Sequence, residues 1–294
     1  MNKIIVLGGG SAGWMTAATL INTFPKKEIV LIESPNTPII GVGESTLGQI
    51  NKWLNLLNIK DKDFMPHTDA SYKLSIRFED FYEKGDGGFH YPFGRTFEND
   101  LSWGKQNWFV KKYLNKKINN SDYANFINPN MALVNSNKLF KNDKKELESF
   151  NFKNDTAYHF DAIKFGIWLK NNYCIPKGVK HVVEDIKNIK TNKEGIVSLN
   201  KHTADLYFDC TGFRSVLMNK IGAKFESYSD LLPNNKAWAT RVPYKNKKNE
   251  LKPFTNCTAI ENGWVWNIPS WERIGTGYVY SDKYVTDKQA LKEF

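Results

Sequence analysis

Gly8, Gly10 and Gly13 stand in the pattern GxGxxG, directly after the apolar run KIIVL and directly before WMTAATLINTF, whose apolar spacing is helical. Glu33 follows twenty residues after Gly13 and closes a second apolar run, EIVLIE. Such an arrangement suits a dinucleotide. The first glycine makes the turn, the second lets backbone approach a pyrophosphate, and the third lets a helix pack on a strand. Free N–H groups at the helix start, around Ser11 and Ala12, then face the phosphates. Glu33 accepts hydrogen bonds from a ribose hydroxyl in this scheme. A glycine-rich turn without ligand uses the same three residues; the strand, the helix and the acid at the right offset favour the nucleotide.

Other stretches carry side chains of chemical interest. In GWVWNIP, residues 263–269, alternation of period two puts Trp264, Trp266 and Ile268 on one strand face. Two neighbouring indoles make either a wide apolar wall or part of a core. In SYKLSIRFEDFY, residues 71–82, Tyr72, Leu74, Ile76 and Phe78 face one way while Lys73, Ser75, Arg77 and Glu79 face the other. Taken alone, that is a half-buried strand with an ordinary lysine on its polar face. FDCTGFRS, 208–215, reads as strand, glycine turn and helix start, and alone names no reaction. Cys174, Cys210 and Cys257 lack metal-ligand spacing, so no metal site is expected and reduced cytoplasmic thiols are the simplest account.

These residues need a frame. Strand, turn, helix and strand at the N-terminus make the first βαβ unit of a doubly wound sheet. A loop with Pro35 and Pro38 leads to IIGVGEST and a helix through GQINKWLNLL. Residues 84–150, rich in Gly, Asn, Lys and aromatics, read as long loops with short helices. A helix at DAIKFGIWLK precedes GVKHVVEDIKNIK, GIVSLN and ADLYFDC, which read as strands returning to the first domain. AWATRVPY, the region 255–268 and IGTGYVYS read as strands of an antiparallel sheet. The predicted fold class is α/β: a doubly wound, Rossmann-like nucleotide domain (1–62 and 155–222) interleaved with a mainly antiparallel sheet and its loops (63–154 and 223–294).

A chain of 294 residues with 41% hydrophobic and 14% aromatic content is folded rather than disordered. No apolar run approaches the roughly 18 residues of a membrane span, and IIVL is too short for a signal peptide, so a cytoplasmic protein is expected. The formal charge of +10 comes from scattered lysine doublets among asparagines. That is a solvated basic surface that steers anions, not a patterned track for nucleic acid.

GGGSAGWMTAA, IGVGEST, SYKLSIRF, AYHFDA, DCTGFRS, GWVWNIP and GTGYVYS occur in the order seen in flavin-dependent halogenases of the tryptophan-halogenase type, and the resemblance runs from residue 1 nearly to 285. GWVWNIP fits the WxWxIP signature of that family. The resemblance implies an FAD-binding domain of the glutathione-reductase type. It also implies reduced FAD supplied by a separate flavin reductase, with O2 and halide as co-substrates. Hypohalous acid then passes through an internal tunnel to a lysine, beside which an indole, phenol or pyrrole undergoes electrophilic halogenation. Lys73, in KLSIRF, matches that lysine. Ile40, Val42, Glu44 and Ser45 match a strap that touches the flavin mostly through backbone, and Val183 matches a strand that meets the adenine. Trp264 and Trp266 match tryptophans that keep organic substrate from the flavin oxidant. Lys73 acts either as an amine that forms a haloamine or as an ammonium that polarises hypohalous acid. At an ordinary pKa of about 10.4, roughly one lysine in 2,500 is an amine at pH 7, so the first route needs burial.

Family members continue past this point with a glycine-rich flavin and halide segment and a mostly helical C-terminal region, whereas residues 286–294 offer only the start of a helix. The expectation is a truncated or split halogenase that works with a complementary chain. The competing readings are a flavin monooxygenase of the same general fold and a non-catalytic remnant that binds nucleotide or a partner protein.

Overall fold

The computed structural model describes residues 1–42, 44–94, 96, 104–138 and 155–294. Gly43 of the IGVGEST stretch, and the parts of the expected loop region that fall on 95, 97–103 and 139–150, lie outside the described residues. The chain divides into two compact units, each assembled from separate stretches. Among the described residues, no helix is long and apolar enough to cross a membrane.

One unit comprises Met1–Val42, Leu57–Thr68 and Asp161–Ser227. Its centre is a parallel sheet with the strand order Leu206–Asp209, Lys3–Leu7, Glu28–Glu33, Lys180–Val183. KIIVL and EIVLIE are continuous apolar runs because central parallel strands are covered on both faces. Ile4, Ile5, Val6, Ile29, Leu31 and Ile32 are accordingly buried. The helix Ser11–Thr23 turns Trp14, Ala17, Ala18, Leu20 and Ile21 inward. GIVSLN does not join this sheet. Gly195–Leu199 pairs antiparallel with Ile189–Asn192 and His202–Thr203 in a separate three-stranded sheet.

The four parallel strands finish together. Leu7 is in register with Asp209 and with Ile32, and Glu33 with Val183. Ligands of open parallel sheets bind at this carboxyl edge.

The other unit comprises Gly43–Leu56, Asp69–Phe160 and Tyr228–Phe294, so residues 44–56 group here and not with the nucleotide strands as the sequence boundaries had them. Its main sheet has the order Lys236–Val242, Ile274–Tyr280, Gly263–Pro269, Phe254–Ile260, Ser75–Glu79, Gly88–Pro92. All neighbours are antiparallel except Phe254–Ile260 with Ser75–Glu79, which run parallel.

The stretch 71–82 is not one alternating strand. Ser71–Lys73 pairs with Ala157–His159, and only from Ser75 does the chain join the large sheet. At the break, the Leu74 N–H donates to the Pro253 carbonyl (2.7 Å) and the Leu74 carbonyl accepts from the Phe93 N–H (2.8 Å). The face that alternation marks as polar is covered there: Lys73 is 2% and Ser75 0% exposed.

Candidate active site

Each glycine of the fingerprint has a distinct steric duty. Gly8 has φ +119°, and a Cβ there would lie 2.2 Å from the Cys210 carbonyl oxygen. A Cβ on Gly13 would lie 1.8 Å from the Gly8 carbonyl oxygen, which is the close helix packing expected of the third glycine. A Cβ on Gly10 would meet nothing within 4 Å, and as N-cap of the helix Ser11–Thr23 it supplies no side-chain cap. The first-turn N–H groups therefore have no cap from the Gly10 side, which suits an anion site. Gly9 is a residue that the GxGxxG pattern passes over: its missing Cβ makes room for the Glu33 side chain, whose Oε2 would lie 1.7 Å away.

Glu33 Oε1 accepts from His181 Nε2 at 2.7 Å and from Lys170 Nζ at 3.4 Å, and Lys170 in turn lies over the Trp14 ring. A cavity of about 110 Å³ is lined by Gly9, Ser11, Glu33, Ile39, Ile163 and Lys170 among others. Val183, beside Glu33 in register, is 55% exposed. The Ser11 hydroxyl is committed to the Ala162 carbonyl (2.8 Å), while Ala12 is exposed. Ile40 and Val42 are exposed in the coil after the second strand, and Ile39 lines the cavity in their place. A helix start without a side-chain cap, the room at Gly10 and an acid at the cavity wall fit a dinucleotide.

Lys73 sits in the other unit, at the end of its short strand. Its Nζ donates to Ser45 Oγ at 2.8 Å and to the Thr46 carbonyl at 3.0 Å, and lies 5.0 Å from the centre of the Phe93 ring. Burial pushes its pKa down to about 8, with the Cys257 thiol as a small opposing influence. No carboxylate is paired with it among the described residues. At pH 7 a group with that pKa is an amine roughly one time in ten.

Glu44 and Ser45 come from the same IGVGEST stretch but have separate tasks. The buried Glu44 carboxylate takes both Arg273 nitrogens, at 2.9 and 2.6 Å, with Arg241 at 3.6 Å. The sequence gives no sign of this pairing, and it leaves Glu44 only its main chain for any ligand. Ser45 turns its hydroxyl to Lys73 and to Thr255 (2.9 Å).

Trp264 and Trp266 share one strand face, with ring centres 6.0 Å apart. Both are half-buried, so they form a wall with an accessible side and not a sealed core. Gly277 across the ladder accommodates the Trp266 ring: a Cβ there would lie 2.1 Å from two of its carbons.

The family model described as tryptophan halogenase matches residues 3–294. The tryptophan 6-halogenase SttH of Streptomyces toxytricini is 33% identical over all of this chain and 60% of its own. Among solved structures, apo VirX1 superposes with a TM-score of 0.89 at 43% identity, covering all of this chain and 58% of that one. Tar14, a tryptophan C-6 flavin-dependent halogenase from taromycin biosynthesis, gives 0.87 at 31% identity, covering all of this chain and 59% of that one. The chain spans about 60% of the length of the curated relatives it matches.

Proposed function

Because the chain belongs to the tryptophan halogenase family, we propose that it holds FAD on its parallel sheet and uses the buried amine of Lys73 to pass halogen to an aromatic substrate. Gly8, Gly10 and Gly13 cradle the pyrophosphate, Glu33 holds the ribose, and Val183 meets the adenine. Ile40, Val42, Glu44 and Ser45 contribute main-chain contacts. Bound FAD, reduced by a separate flavin reductase, supplies the electrons with which O2 oxidises halide to hypohalous acid. A net charge of +10 favours the approach of halide and of the cofactor phosphates.

The observation that carries this reading is the surroundings of Lys73. Two built acceptors hold two of its N–H groups, which are all that a neutral amine has, and the remaining tetrahedral direction carries the lone pair. Attack by that lone pair on hypohalous acid forms an N–halogen bond, breaks the O–halogen bond and releases water. The arene then takes the halogen, and its ring proton returns the nitrogen to N–H. Depression of the pKa from about 10.4 to about 8 raises the amine fraction at pH 7 by roughly 200-fold. The half-buried indoles of Trp264 and Trp266 exclude organic substrate from the source of the oxidant.

The pH profile of bromide-dependent halogenation, with reduced FAD and L-tryptophan or another indole, tests this reading. As a base must lose its proton to react, the single-turnover rate rises about tenfold per pH unit below 8 and levels off above it. A rate that falls above pH 8 assigns the work to the ammonium instead, and no product at any pH removes the proposal.

A further inference from the structure

Behind Lys73 lies a buried polar chain that the proposed chemistry does not use. Ser45 Oγ is 2.9 Å from Thr255 Oγ1, and Thr255 Oγ1 is 2.9 Å from His159 Nε2. His159 Nδ1 is 3.1 Å from the Pro269 carbonyl oxygen, which also accepts from Ser71 Oγ at 2.7 Å. The residues come from four distant stretches, and His159, Thr255 and Ser71 are all buried.

The end of this chain fixes its direction. A carbonyl only accepts, so His159 Nδ1 carries the proton and a neutral His159 offers a lone pair at Nε2. Burial and the nearby Lys73 charge hold His159 well below its ordinary pKa, in keeping with the neutral ring. Thr255 must then donate to Nε2 and accept from Ser45. Ser45, having donated to Thr255, can only accept from Lys73.

We propose that Ser45, Thr255 and His159 are positioning residues: a one-way hydrogen-bond chain that makes Ser45 a pure acceptor and so fixes the orientation of the Lys73 nitrogen. This rests on Lys73 being the halogen-transfer residue, which the chain would hold with its remaining valence directed away from Ser45. Each donated bond strengthens the next oxygen as an acceptor, so the hold on Lys73 depends on Thr255 although the two do not touch in the chain. Ser71 secures the far end by sharing the Pro269 carbonyl.

Lys73's own titration tests the proposal on the full 294-residue chain. In protein labelled with 13C at lysine Cε, the resonance lost in Lys73→Met is assigned and followed against pH. The titratable groups electrically coupled to Lys73 are Cys257 and His159, and both are neutral near pH 8. Thr255→Val keeps the shape and removes the relay. Ser45 then donates to the Lys73 nitrogen and favours the amine, so the apparent pKa falls by about one unit. Ser45→Ala lowers it similarly by removing an acceptor of the ammonium, and Thr255→Ser restores the wild-type value.

An unchanged titration in Thr255→Val overturns the proposal, as does a failure of Thr255→Ser to restore it, which would mark Thr255 as a packing residue. The readout needs no halogenation. A chain that titrates as predicted but yields no haloarene would sink the functional reading and leave the relay standing.

Discussion

Lys73→Met is expected to abolish the proposed halogen transfer. The rate of haloarene formation then falls about 1,000-fold or more, in the range seen when a catalytic nucleophile is removed. Methionine fills the buried space with an apolar chain of similar length, and Ser45 keeps its bond to Thr255, so the fold survives. FAD affinity is unchanged, because the proposed cradle is built from other residues. Chromatography with mass detection follows the product, and flavin fluorescence follows binding. Lys73→Arg fails as well, since a guanidinium stays protonated and offers no lone pair. Product formation within tenfold of wild type in Lys73→Met would remove Lys73 from the mechanism.

Glu44→Ala destabilises the chain by about 3 kcal/mol, the cost of leaving one partner of a buried ion pair alone. The Glu44 side chain is 5% and the Arg273 side chain 15% exposed, and their two contacts form a bidentate clasp. Arg241 is nearly half exposed and water screens it, so it adds little. Gly275 belongs to the same arrangement, for a Cβ there would lie 2.2 Å from Glu44 Oε2. Equilibrium urea unfolding measures the effect as a lower midpoint at an unchanged slope. A loss below about 1 kcal/mol would mean that the site relaxes and that the clasp is incidental.

The parts legible in the sequence were those whose causes are local. A strand, a glycine turn and a helix within 23 residues specify Gly8, Gly10 and Gly13, and period-two alternation places both indoles on one face. Gly9 escaped the motif because its constraint comes from the Glu33 side chain and not from the turn. Alternation alone set Lys73 on a strand's polar face, and only the family resemblance called for the burial it has. Its covering partners are far along the chain: Ser45 precedes it by 28 residues, and Ala157 opposite it follows by 84. The Glu44–Arg273 clasp joins residues 229 apart, beyond the reach of any periodicity. Pairing across such distances is decided by the assembled sheets, and composition says nothing about it.

The reaction product, followed as the halide is changed, tests the central claim most directly. Wild-type chain is given reduced FAD, O2 and an indole, with chloride, bromide or no halide in parallel. A product whose mass follows the halide, and which is absent without one, is the predicted result. A hydroxylated product of constant mass, formed equally without halide, would contradict the account and make the protein a flavin monooxygenase.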